Sequence, residues 1–137
     1  SYVLEVDWRF IAGKPPGNSG VLMRMHGPDK VWPKSIEAQL QHLNAGDIWN
    51  IDEFPIPTVE KRTNGRHTAK EFPTNEKPLG DWNRYRITLR EGDLTLEVNG
   101  VVQNVAHWCA ELPGKICLQS EGAEIEFRTV RLTPIVE

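Results

Sequence analysis

The stretch that decides the fold class is "YRITLREGDLTLEVNGVVQNV", residues 85–105. Tyr85, Ile87 and Leu89 alternate with polar residues, and Leu94, Leu96 and Val98 do the same beyond Glu91–Asp93. A period of two puts each apolar set on one face of an extended strand, whereas a helix would scatter it. Asn99-Gly100 is a two-residue hairpin signal, because both residues tolerate the positive φ of a tight turn. Three successive antiparallel strands follow from this stretch alone.

Working outward, "YVLEVDWRF" (2–10) repeats the alternation, with Tyr2, Leu4, Val6, Trp8 and Phe10 on one face. "AGKPPGNSG" (12–20) is a breaker-rich loop. "VLMRMH" (21–26) reads as a strand with Leu22, Arg24 and His26 on one side and Val21, Met23 and Met25 on the other. "GPDKVWP" then turns the chain into "SIEAQLQ" (35–41), where Ile36, Ala38 and Leu40 alternate with Ser35, Glu37, Gln39 and Gln41. Ile36, Leu40 and Leu43 also fit a helix, and the composition favours one. Pro33 and the turn after Asn44 leave room for only two helical turns, so strand is preferred. The region 44–81 is rich in glycine, proline and charge, with a hairpin expected at Asn64-Gly65. "KICLQSE" and "EIEFRTVRL" supply the last strands. In the latter, Val130 and Leu132 are one step out of phase with Ile125 and Phe127, which predicts a bulge near Arg128 or Thr129. Many short strands with turn punctuation predict an all-β antiparallel sandwich, with residues 1–137 as one domain.

A net charge of −3 argues against nucleic acid or an anionic membrane as partner, since either calls for a basic stripe. No apolar run approaches a membrane span. Cys109 and Cys117 lack zinc-ligand spacing. A disulfide across the short loop between them and two free thiols are both open readings. Five tryptophans among eleven aromatic residues hint at sugar stacking as well as core packing.

Several strands are apolar on one face and polar on the other: Arg24/His26, Glu37/Gln39/Gln41, Gln119/Glu121 and Glu124/Glu126/Arg128. Solvated antiparallel strands also look like this. If the sheet sets some of them side by side, carboxylates, amides and a guanidinium line a cleft suited to sugar hydroxyls. His67 in "NGRHT" reads as a solvated hairpin residue, and His107 borders the Cys109 loop. His26 and His42, with Asp47 or Glu37, are the candidate ligands of a divalent metal. The nucleophile, zinc-protease and phosphate-loop motifs are absent. So is the paired-carboxylate "ExDxxE" of strand-borne retaining glucanases.

"NSGVLMR" (18–24), "GPDKVWPKSIEAQLQ" (27–41), "AGDIW" (45–49), "EKPLGDWNRYRI" (76–87), "LEVNGVVQN" (96–104) and "GKICLQSEGAEIEFRTVRLTP" (114–134) together resemble the 3-keto-disaccharide hydrolase domain family. That family was formerly a domain of unknown function and groups with the concanavalin A-like lectin/glucanase jelly rolls. The resemblance implies a two-sheet jelly roll that cleaves glycosides already oxidised to a ketone at sugar carbon 3. The ketone acidifies the C2 proton, a base removes it, the aglycone leaves C1 by elimination, and water adds. Paired carboxylates are not needed for such chemistry.

Carried onto this sequence, the resemblance implies Glu37 or His26 as base and Arg24 as enolate stabiliser. Glu121 is the implied acid or hydroxyl binder. Gln39, Gln119, Trp32, Lys34, Trp49 and Asp47 are the implied substrate contacts. Some relatives are thought to use a bound metal, for which His26, His42 and Glu37 are the candidates. Members usually carry residues ahead of the segment matching "YVLEVDWRF", so an open sheet edge able to pair with a second chain is expected. A periplasmic or extracellular location follows from family habit. A carbohydrate-binding module that kept the fold without the chemistry is the competing expectation.

Overall fold

The computed structural model describes residues 1–57 and 60–136. Among the described residues eleven strands form in chain order: β1 (Tyr2–Phe10), β2 (Asn18–His26), β3 (Lys34–Gln39), β4 (Ile48–Ile51), β5 (Thr63–Asn64), β6 (His67–Thr68), β7 (Asn83–Arg90), β8 (Asp93–Val98), β9 (Val101–Ala106), β10 (Lys115–Glu121) and β11 (Ile125–Pro134). They build two sheets in the orders β11-β1-β7-β8-β9 and β10-β2-β3-β4-β6-β5, every pairing antiparallel. The all-β two-sheet sandwich expected from the alternation is the observed architecture, and of "SIEAQLQ" the residues 35–39 lie in β3, with Leu40 and Gln41 past its end. Among the described residues no helix is long and apolar enough to cross a membrane.

The alternating residues make the core between the sheets. Leu4, Val6, Trp8, Tyr85, Ile87, Leu89, Leu94, Leu96 and Val98 come from the five-stranded sheet, and Val21, Met23, Ile36, Ala38 and Ile48 from the six-stranded one. Tyr85 ties the layers together, since its hydroxyl accepts from Gly46 N (2.7 Å) and donates to Gln39 O (3.2 Å). Burial without these partners would strand a polar group inside the core.

The turns are those the residues call for. Asn99 and Gly100 adopt φ of 49° and 83° between β8 and β9, and the Asn64-Gly65 hairpin joins β5 to β6. The β11 bulge is also present. Between Glu5↔Arg131 and Asp7↔Arg128 the β11 strand holds one residue more than β1, and Thr129 takes φ 50°.

A second bulge lies in β2, where three steps from Met25 to Leu22 face two steps from Lys115 to Cys117. Arg24, at φ 53°, absorbs the extra residue. This breaks the simple alternation read for 21–26, so Leu22, Arg24 and His26 do not share a face. Cys109 and Cys117 are both free thiols.

Candidate functional site

The outer face of the six-stranded sheet carries a cleft of about 410 Å³ lined by Asn18, Trp32, Glu37, Gln39, Gln41, Trp49, Ile51, Arg66 and Glu121. Strand register explains the assembly. Leu22, Glu37, Trp49 and His67 stand in one row across β2, β3, β4 and β6. Gln119, Gly20 and Gln39 form the adjacent row, and Glu121 pairs with Asn18 at the end of β10. Side chains two apart on one strand share a face, so Glu37 and Gln39 point together into the cleft, and Gln41, just past the end of β3, lines it too.

Glu37 is 3% exposed, and no hydrogen bond to its carboxylate forms among the described residues. It lies over Gly20, where a built Cβ would come within 2.7 Å of Oε1. Only a glycine there leaves room for the carboxyl. Burial disfavours the charged form, and the Glu121 carboxylate nearby disfavours it further, so the Glu37 pKa is pushed up to about 7.

Glu121 itself is well solvated by protein donors. Asn18 Nδ2 and Gln119 Nε2 each donate to its Oε2 at 3.1 Å. Gln39 turns its amide oxygen back onto the backbone, accepting from Leu40 N and Gln41 N at 3.0 and 3.2 Å. Gln41 accepts from Asn44 Nδ2 at 2.9 Å.

The remaining sequence candidates divide. Trp32 and Trp49 line the cleft as aromatic walls. Arg24 does not reach it. Its buried guanidinium donates to Ala110 O (2.7 Å) and to Glu91 O, because the β2 bulge turns it toward the 107–111 loop. His26 lies against Phe54 with Nδ1 3.0 Å from Arg24 O, away from the lining residues. Lys34 opens β3 out of phase with Glu37 and lines no part of the cleft.

Asp47 is buried and engaged, accepting from Lys70 N at 2.9 Å and lying 2.6 Å from His67 Nε2. It is therefore a support residue, not a free hydroxyl binder. His42 packs edge-on to Phe10 with Glu76 3.9 Å away. The three residues expected to share a divalent metal, His26, His42 and Glu37, do not converge. Among the described residues no three His, Cys, Asp or Glu side chains cluster as a ligand set.

The sequence reading missed Arg66. It follows the Asn64-Gly65 turn, and nothing local says that this hairpin folds beside the cleft. It also took His67 for a solvated hairpin residue, yet His67 opens β6 opposite Trp49. Gln41 belongs to the polar alternation already read at 35–41, and Asn18 opens β2 beside Glu121.

Comparison with known proteins adds the following. Residues 1–133 match the family described as 3-keto-alpha-glucoside-1,2-lyase-like domain. Two solved structures from Parabacteroides distasonis, each described as a "putative glycosyl hydrolase", superpose at TM-scores of 0.69 and 0.65 with 18% and 19% identity. The first covers 98% of this chain and 78% of its own, the second 98% and 72%. The carbohydrate binding module CBM66 of Bacillus subtilis superposes at 0.68 with 13% identity, covering 97% of this chain and 74% of its own. At these identities the structures speak to the shared fold. Among curated proteins no sequence match is found.

Proposed function

The chain belongs to the 3-keto-alpha-glucoside-1,2-lyase-like domain family, and from that premise we propose that it acts on carbohydrate, cleaving 3-keto-glycosides at the Glu37 cleft. The observation that carries the reading is Glu37. It is a buried carboxylate that receives no hydrogen bond among the described residues, lies in the wall of the cleft, and has its pKa pushed up to about 7 by burial. A base works best when its pKa is close to the working pH. An ordinary solvated strand-face carboxylate would titrate far lower.

The Glu37 carboxylate takes the C2 proton, and the electron pair moves onto the 3-keto oxygen as an enolate. Arg66 is the cationic side chain lining the cleft and suits that developing charge. The enolate expels the C1 oxygen substituent, leaving a double bond between C1 and C2 conjugated to the ketone. The newly protonated Glu37 is then the nearest acid for the departing oxygen on the neighbouring carbon. Water adds at C1, and C2 regains a proton. Glu121, fixed by Asn18 and Gln119, is placed to accept a sugar hydroxyl. Trp32 and Trp49 offer faces for the ring. Export to the periplasm or cell exterior accompanies this reading as a proposal, tested by fractionation of producing cells.

The test compares a 3-keto-glucoside with the corresponding ordinary glucoside. The expected result is release of 3-keto-glucose from the first alone, together with exchange of the C2 hydrogen in deuterated water. Both should be lost in Glu37→Gln. The two tryptophans favour a second reading, a carbohydrate-binding module. Saturable sugar binding without turnover or C2 exchange, unchanged in Glu37→Gln, would establish that reading instead.

A further inference from the structure

The Asp47–His67 pair is not used by the chemistry above, yet it is built into the sheet beside it. Asp47 is 4% exposed, and its Oδ1 accepts from the Lys70 backbone while Oδ2 lies 2.6 Å from His67 Nε2. The imidazole lies flat on the Trp49 indole, with ring centroids 4.6 Å apart and planes 16° apart. On its other side Trp49 faces Glu37 in register across β3 and β4. The order across the sheet is thus Glu37, Trp49, His67, with Asp47 holding the imidazole at the end of the row.

We propose that Asp47 and His67 are positioning residues that clamp the Trp49 indole upright as the wall separating Glu37 from solvent. The proposal rests on the cleft reading given above. A carboxylate bound to one ring nitrogen fixes the tautomer and the plane of a histidine. That plane is the surface on which Trp49 stacks. Adjacent strands lie ~4.8 Å apart, so His67 is two strands from Glu37 and acts through the indole, not by touching substrate. The indole Nε1 is buried and without a hydrogen-bond partner, so Trp49 has no polar anchor of its own among the described residues. Stacking on His67 supplies the anchor. Other groups that face Glu37 are Glu121 from β10, a like charge, and Arg66 from the β5–β6 turn, across the cleft.

The test follows Glu37 by carbon NMR of a side-chain-labelled protein as pH is varied, with no substrate present. In the unaltered chain the midpoint should lie near 7. His67→Ala should lower it toward the ordinary carboxylate range, because a tilting indole admits water. His67→Phe keeps a flat ring without the Asp47 bond and should restore most of the shift. Asp47→Asn should give an intermediate midpoint. With 3-keto-glucoside, His67→Ala should move the alkaline-rising limb of the rate profile by the same interval.

A Glu37 midpoint unchanged in a folded His67→Ala overturns the proposal. So does a His67→Phe no better than His67→Ala. If the midpoints move as expected but no variant, nor the unaltered chain, turns over 3-keto-glucoside, the clamp stands and the lyase reading falls.

Discussion

Glu37→Gln should change stability and activity in opposite directions. In the folded chain the Glu37 pKa is about 7, against 4.5 for a free glutamate side chain. The shift is upward, so its stabilising protonated form is fully populated below pH 4.5, and that contribution is lost as pH rises through 7. At about 1.4 kcal/mol per pKa unit, the gap corresponds to about 3 kcal/mol less stability at pH 8.5 than at pH 4.5 from this group. Gln is neutral throughout and nearly isosteric. Urea unfolding at pH 8.5 should show Glu37→Gln more stable than the unaltered chain by about 1–3 kcal/mol, with the difference vanishing as pH falls below about 4.5. The activity of the unaltered chain should rise over the same window, as the base ionises, and be absent in the variant. Equal pH dependence of the two unfolding curves would refute the reasoning, since Glu37 would then be solvated in the native state.

Other perturbations reach different parts of the same design. Gly20→Ala should cost about 1–3 kcal/mol, because the Cβ meets the buried Glu37 side chain from Oε1 at 2.7 Å to Cγ at 3.0 Å. The displaced carboxyl should lower kcat for 3-keto-glucoside by roughly 10-fold or more in the folded variant. Arg24→Ala should destabilise the fold by about 2–4 kcal/mol in chemical denaturation, as the carbonyls of Ala110 and Glu91 lose a buried donor. Trp32→Ala should raise KM or weaken sugar binding in calorimetry while leaving the Glu37 titration in place. Asp7 is held below its ordinary 3.8, first by the hydrogen bond from Arg84 and then, against the opposing effect of burial, by that from Arg128. A lowered carboxylate stabilises above its free pKa and loses that contribution as pH falls through the folded value. Asp7→Asn should therefore flatten the acid limb of the melting-temperature profile.

What the sequence disclosed was governed by periodicity. The alternations at 2–10, 35–41 and 85–98 carry the pattern of a sheet with one buried face, and every apolar member of 85–98 is in the core. The phase slip at Val130 was enough to place a bulge at Thr129. The bulge at Arg24 left no such trace, because the residues on either side are apolar in both phases. Glu37 could be placed on the polar face of its strand, but the cause of its altered pKa could not be read locally. Its surroundings include Glu121 from β10 and the space left by Gly20 on β2, both brought in by register. Arg66, Asp47 and His67 escape a local reading for the same reason, since the partners of Asp47 and His67 are 18 to 23 residues away and Arg66 reaches the cleft only through the β5–β6 hairpin.

A buried carboxylate without a donor is unfavourable for folding, and the surrounding sheet shows why it is tolerated. Glu121, on β10 two strands from Glu37, accepts from the amides of Asn18 and Gln119, while the Gln39 amide oxygen accepts from the backbone. The Asn18 and Gln119 amides are thereby committed to Glu121. Had either amide turned to Glu37, its pKa would fall and its strength as a base with it. The same arrangement concentrates negative charge at Glu121, which raises Glu37 further. Two carboxylates on one sheet face thus take different characters from their partners. Glu121 is a satisfied acceptor suited to holding a hydroxyl, and Glu37 is an unsatisfied base suited to taking a proton.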